Sequence, residues 1–187
     1  MTKRIVVGIT GASGALLGLR ALEMLRQLGI ESHLILSPAA HVTLAQETGR
    51  KVSEVQALAT AHYAHNDIGA AIASGSFPTD GMIVIPCSIK TLSAIANSYA
   101  DDLMVRAADV HLKEGRPLVL VVRETPLHRG HLRLMDLAAR AGAVIFPPVP
   151  MFYARPQSLD EAISGIVGRA LLRLGIDNPS YMRWEGL

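Results

Sequence analysis

The sequence predicts an α/β chain with a doubly wound parallel sheet, a Rossmann-like or flavodoxin-like three-layer sandwich, and three observations support this. Short apolar runs of strand length alternate with segments of helical period along the whole chain. The runs are apolar at consecutive positions, as in RIVVGI at 4–9 and PLVLVV at 117–122, the pattern of strands covered on both faces. Hydrophobic residues make up 50% of the 187 positions but aromatics only 4%, so the core is filled by Ala, Val, Ile and Leu. That length supports one core, and the chain reads as a single domain over 1–187 with a tail from about 177.

Arg4–Ile9 is the first strand, and Gly14–Leu28 the first helix, closed by Gly29. Ser32–Leu36 forms a second strand, followed by a helical stretch from about Ala39 to Thr48. Residues 50–80 have the least regular period and end in the turn-rich SGSFPTDG. Met82–Ile85 is the third strand, Ile89–Asn97 and Asp101–Glu114 are helical, and Pro117–Val122 is the fourth strand. His128–Arg140 is a helix ended by Gly142, Val144–Phe146 the fifth strand, and Leu159–Leu174 the last helix.

Several function classes are disfavoured. The net charge of +2 is spread along the chain with no Lys/Arg run, which argues against a nucleic-acid partner. Cys87 is the single cysteine, so no intrachain disulfide forms and a reducing compartment is expected. The N-terminus lacks an apolar stretch of signal-peptide length, and no run approaches the ~18 residues that span a bilayer. A cytoplasmic protein with no membrane partner is the expectation.

In doubly wound sheets, ligands bind beyond the carboxyl ends of the strands. The five strands run out into TGASG, Ser37-Pro38, Pro86-Cys87-Ser88, Arg123-Glu124 and Pro147-Pro148, in chain order. Gly8, Gly11 and Gly14 have GxxGxxG spacing between a strand and a helix, so backbone amides and the helix dipole predict an anion cradle. The spacing is not the GxGxxG of dinucleotide sites, and the second strand ends in Ser37 where an NAD site places an acid. Both departures favour a mononucleotide. A tight turn with no ligand is the plainer alternative.

Other candidates carry two readings each. Ser88 and Thr91 either grip a ligand or reflect N-capping by Ser88. Cys87 reads as a small buried packer. Arg106, Asp109 and Lys113 share a helix face, as a surface salt-bridge ladder or as a cationic wall. Arg123-Glu124, after six apolar residues, calls for a ligand or an ion pair. His128 and His131 read as helix-surface histidines without a further metal ligand, and Asp101-Asp102 as a helix start in which residue 105 breaks any DDxxD. Trp184 is either a tail anchor or an aromatic lid.

Together, GITGASGA at 8–15, LSPAA at 36–40, ET at 47–48, SGSF at 74–77, PCSIKTLS at 86–93, RAADVHLKEGRPLVLVVRETPLH at 106–128, HLRLM at 131–135, GAVIFPPVPMFYARPQS at 142–158 and RW at 183–184 resemble the UbiX-type flavin prenyltransferases over nearly the whole chain. The resemblance implies transfer of a dimethylallyl group from dimethylallyl monophosphate to reduced FMN, closing a ring between flavin N5 and C6. It implies no metal, a product (prenylated FMN) destined for a UbiD-type decarboxylase, and a homo-dodecamer with sites completed between subunits. By matching motif, Gly11, Ala12, Ser13, Ser37, Ser88, Ile89, Lys90, Thr91 and Arg123 are implied to bind FMN. Arg106, Lys113, Tyr153 and Arg169 are implied to bind the donor, with Ser13, Glu47, Glu124 and Trp184 as catalytic groups. There are two departures from the pattern: Ile89-Lys90, where relatives differ among themselves, and His111, where a small residue is expected and which reads as surface variation. A flavin-dependent cysteine decarboxylase of the same fold is the alternative, though its PASANT-like loop is PCSIKT here.

Overall fold

Strand β1 (Arg4–Ile9) is buried at all but its first residue, because aliphatic side chains on both faces must meet helices on both sides. A computed structural model, describing residues 2–186, builds six parallel strands around it in the order β3-β2-β1-β4-β5-β6. The others are β2 (Glu31–Leu36), β3 (Ala61–Tyr63), β4 (Gly81–Cys87), β5 (Leu118–Val122) and β6 (Val144–Ile145). The central register aligns Val7 with Leu34 on one side and with Ile83 on the other. Seven helices flank the sheet: α1 (Ala15–Gln27), α2 (Pro38–Thr48), α3 (Val52–Gln56), α4 (Ile89–Ala96), α5 (Leu103–Lys113), α6 (Arg129–Arg140) and α7 (Leu159–Leu172).

Two cores result. One packs Leu22, Leu25, Leu44 and Val167 from α1, α2 and α7 on one face of the sheet, and the other packs Leu92, Met104 and Ala138 from α4, α5 and α6 on the other face. Gly18 allows α1 to lie against the sheet, since a Cβ there would stand 2.6 Å from the Ile85 carbonyl. No helix among the described residues is long and apolar enough to cross a membrane. After α7 the described chain forms no further helix or strand.

The five strands read from the sequence stand in the flavodoxin order 2-1-3-4-5. The sixth, β3, lies in the segment read as least regular, which also holds α3 and a 3-10 turn at Ala71–Ala73. Its residues Ala61-His62-Tyr63 are partly exposed and pair only with β2, so they carry no apolar run to betray them. With β3 at the edge the order becomes 3-2-1-4-5-6, and the point where it reverses, between β1 and β4, is unchanged.

Candidate functional site

Thr10 ties the loop after β1 to the start of α4 at that reversal point. Its buried hydroxyl donates to the Pro86 carbonyl (2.7 Å) and accepts from the Ser88 amide (2.9 Å). Beside it opens a crevice of about 990 Å³, lined among others by Gly11, Ser37, Ser88, Lys90 and Thr91. Gly11 is required because a Cβ there would overlap Ala39 Cβ at the start of α2. Ala12 and the exposed Ser13 continue the same loop.

Three helices begin at this crevice, and their caps differ in charge. Ser37 caps α2 by accepting the Ala40 amide (3.2 Å), and Ser88 caps α4 by accepting the Thr91 amide (3.3 Å). Asp102 caps α5 through the Val105 amide at 2.9 Å. Nearby α1, after the glycine loop, is capped by a remote carboxylate: Glu47 Oε2 accepts the amides of Gly14 (2.9 Å) and Ala15 (2.8 Å). The protein's own carboxylate therefore holds the Gly14 and Ala15 amides, which leaves of the predicted anion cradle the amides of Gly11, Ala12 and Ser13. The ends of α2 and α4 carry neutral hydroxyl caps, so their positive dipole ends are available to an anion. Lys90 adds a cation with no ion-pair partner among the described residues. This donor set fits a phosphorylated ligand, and the crevice has room for a mononucleotide.

Of the other residues implied to hold FMN, Ile89 packs its side chain on the α4–α5–α6 core and is not among the residues that line the crevice. Arg123 and Glu124 stand exposed just beyond β5, as read, and neither joins an ion pair among the described residues. The Arg123 amide donates to the Cys87 carbonyl (3.0 Å), which aligns the segment with β4. Cys87 is fully buried, and burial pushes its thiol up to about 12, in keeping with a packing role.

The residues implied to bind the donor do not join that crevice within one chain. Arg106 lies on α5, bonded to the Asp109 carboxylate (2.9 Å) and the Ala73 carbonyl (3.1 Å). Lys113 ends α5 at the opposite, amino-terminal edge of the sheet, paired with Glu114 and not with Asp109. Tyr153 lies in a 3-10 turn, its hydroxyl donating to the Met182 carbonyl (3.2 Å) and its ring meeting Trp184 edge-on at 5.4 Å. Arg169, on α7, lies over the Tyr181 ring. Trp184 is thus an aromatic partner of Tyr153 on the exposed tail.

Sequence reasoning missed His65, Asn97 and Tyr99, which line the crevice. His65 reaches it from the loop after β3, with Nε2 3.4 Å from Asp102, so no local pattern announces it. His111 is corrected: it is not surface variation but a side chain only 1% exposed, and burial lowers its pKa. His128 caps α6 through the Gly130 amide (3.0 Å), and its ring lies tilted against His131 with centroids 3.6 Å apart. No group of three metal-ligating side chains gathers among the described residues.

Comparisons with known proteins agree with this geometry. The Flavoprotein family model matches residues 1–167. The flavin prenyltransferase UbiX of Escherichia coli K12 is 58% identical over 187 residues, covering 98% of this chain and 99% of that protein. Among solved structures, AnUbiX (PadA1) in complex with FMN and dimethylallyl pyrophosphate superposes with a TM-score of 0.98 at 51% identity, covering 100% of both chains. A dodecameric FMN-dependent UbiX-like decarboxylase from Escherichia coli O157:H7 superposes at a TM-score of 0.95 and 47% identity, covering 98% of this chain and 100% of that one.

Proposed function

The chain belongs to the UbiX-type flavin prenyltransferases, within the Flavoprotein family, and on that premise we propose how its residues divide the transfer of a dimethylallyl group to reduced FMN. The observation that carries the division is the pair of neutral, serine-capped helix starts, α2 and α4, facing one crevice. Reduced FMN supplies an electron-rich ring whose N5 and C6 accept the C5 unit. Ser37, Ser88 and Thr91 bind its phosphate by their hydroxyls, and Lys90 offsets the charge. Gly11, Ala12 and Ser13 lie along the ligand's near side, and Arg123 holds the polar edge of the ring.

Glu47 keeps the glycine loop in shape with Oε2, while its Oε1 makes no hydrogen bond among the described residues and is free to take or return a proton. Glu124, exposed at the end of β5, shares that role, and Ser13 positions the reacting groups. Arg106, Lys113, Tyr153 and Arg169 receive the donor phosphate from neighbouring subunits of a homo-dodecamer, which accounts for their distance from the crevice in a single chain. As phosphate leaves, cationic side chains stabilise its charge without a metal, and the Trp184 ring face shields the allyl cation. The chain acts as one flavin-binding domain over 1–187, with the tail from about 177 closing a neighbour's site. Its compartment is the cytoplasm, and its product, prenylated FMN, serves a UbiD-type decarboxylase.

The test is anaerobic incubation with reduced FMN and dimethylallyl monophosphate, with mass analysis of the flavin afterwards. One added dimethylallyl unit is expected, and a parallel incubation with the pyrophosphate identifies the preferred donor. Flavin left unmodified by folded, flavin-binding protein with either donor refutes the proposal. The cysteine decarboxylase alternative has no comparable support beside 58% identity to a flavin prenyltransferase.

A further inference from the structure

Residues 73–79 lead from the 3-10 turn into β4 without a strand of their own, yet α5 and the turn after it grip them throughout. The Arg106 guanidinium donates to the Ala73 carbonyl at 3.1 Å. Arg116 donates to the carbonyls of Gly75 (2.6 Å) and Phe77 (2.9 Å) and to the Thr79 hydroxyl (3.1 Å). Thr79 also meets His111 Nε2 at 2.9 Å, and His111 Nδ1 meets the Ala107 carbonyl at 2.7 Å.

Burial favours the neutral imidazole, and a carbonyl only accepts, so His111 Nδ1 carries the proton and Nε2 presents a lone pair. Thr79 therefore donates its hydroxyl proton to His111 and accepts from Arg116. The strap is also pressed against the end of α5: a Cβ at Gly75 would overlap the Glu114 carboxylate and stand 2.9 Å from Lys113 Nζ. Arg106 thus bonds the strap that Arg116 and His111 hold, and Lys113 lies beside it at Gly75.

We propose that His111, Thr79 and Arg116 are positioning residues for donor binding: they clamp residues 73–79 onto α5, and the clamped strap sets the places of Arg106 and Lys113. This rests on the reading above that those two cations receive the donor phosphate. None of the three positioning residues lines the flavin crevice, so they act on one substrate only. The linkage is a network around a buried histidine with each of its bonds made, where removing a single hydroxyl loosens several bonds together.

The test is steady-state prenylation in the assembled enzyme, with flavin affinity measured separately by fluorescence titration. Thr79→Val, close in shape but without the hydroxyl, is expected to raise KM for dimethylallyl monophosphate about five- to tenfold while leaving kcat and the FMN Kd near wild type. Thr79→Ser restores the hydroxyl and the KM. Arg116→Lys, which cannot span Gly75, Phe77 and Thr79 with one planar fork, raises KM in the same way. Lys113→Ala serves as the reference for losing a cation outright. If Lys113→Ala leaves KM unchanged, the reading of the donor site fails and this inference falls with it. If Lys113→Ala raises KM while Thr79→Val and Arg116→Lys match wild type, the positioning role alone is overturned. A Thr79→Ser enzyme as impaired as Thr79→Val, or an equal loss of FMN affinity in Thr79→Val, overturns it as well.

Discussion

Replacing Glu47 separates what its carboxylate does for the fold from what it does for the reaction. In the folded chain Oε2 accepts two backbone amides, at 2.9 and 2.8 Å, at the start of a helix whose own N-cap, Gly14, offers no side chain. Glu47→Ala removes a cap, which costs about 0.5–2 kcal/mol, and a favourable helix-dipole charge of about 0.3–1 kcal/mol. Glu47 is half-buried, so water reaches the freed amides and limits the loss to about 1–3 kcal/mol. Glu47→Gln keeps an oxygen for the amides and loses only the charge, so its cost is about 1 kcal/mol or less. Urea unfolding monitored by far-UV circular dichroism, at one fixed protomer concentration, reads the difference as a shift in midpoint. Prenylation by the same variants reads the chemistry. The expected result is a clear midpoint loss for Ala, a small one for Gln, and impaired turnover in both. An Ala variant that unfolds with the wild type refutes the capping, and a Gln variant with full turnover refutes proton transfer through Oε1.

Three further outcomes rest on local geometry. Gly11→Ala forces the glycine loop away from Ala39 and should weaken FMN binding by about tenfold, roughly 1.4 kcal/mol, in a fluorescence titration; unchanged affinity would contradict the tight approach of the two loops. Burial holds the His111 pKa below its ordinary value, so below about pH 6.5 the unfolded chain takes up a proton that the folded chain refuses. Stability is then full above that pH and falls as pH drops toward the folded value, and His111→Gln should flatten this acid slope in urea midpoints measured from pH to pH. The Cys87 thiol, pushed up to about 12, should resist a thiol-reactive dye at about pH 8 until the protein is denatured, and rapid labelling of native protein would show that the end of β4 opens.

Apolar runs with strand length and helical segments with capping residues are local patterns, and local patterns determined the α/β class, five of the six strands and every long helix. The Ser88 cap of α4 and the helix start at Asp102 before α5 were legible because capping acts over three residues, whereas Ser37 drew notice only as the end of a strand. Glu47 over the start of α1, 33 and 32 residues from its partner amides, was not legible as a cap, because nothing local distinguishes a carboxylate that reaches across the fold from one facing water. The same holds for His111 under Thr79 and for His65 at the crevice. The short strand β3 escaped because three half-exposed residues at an edge need only a neighbour's backbone, not an apolar pattern of their own. Tertiary structure alone decided which helix starts remain open to an anion, since that depends on which one the chain's own carboxylate already fills. It decided too that Gly11, Ser37, Ser88, Lys90 and Thr91 line one crevice while Lys113 stands at the far edge of the sheet: a sheet places residues by strand direction, and the end of a helix returning to the next strand lies opposite the crevice.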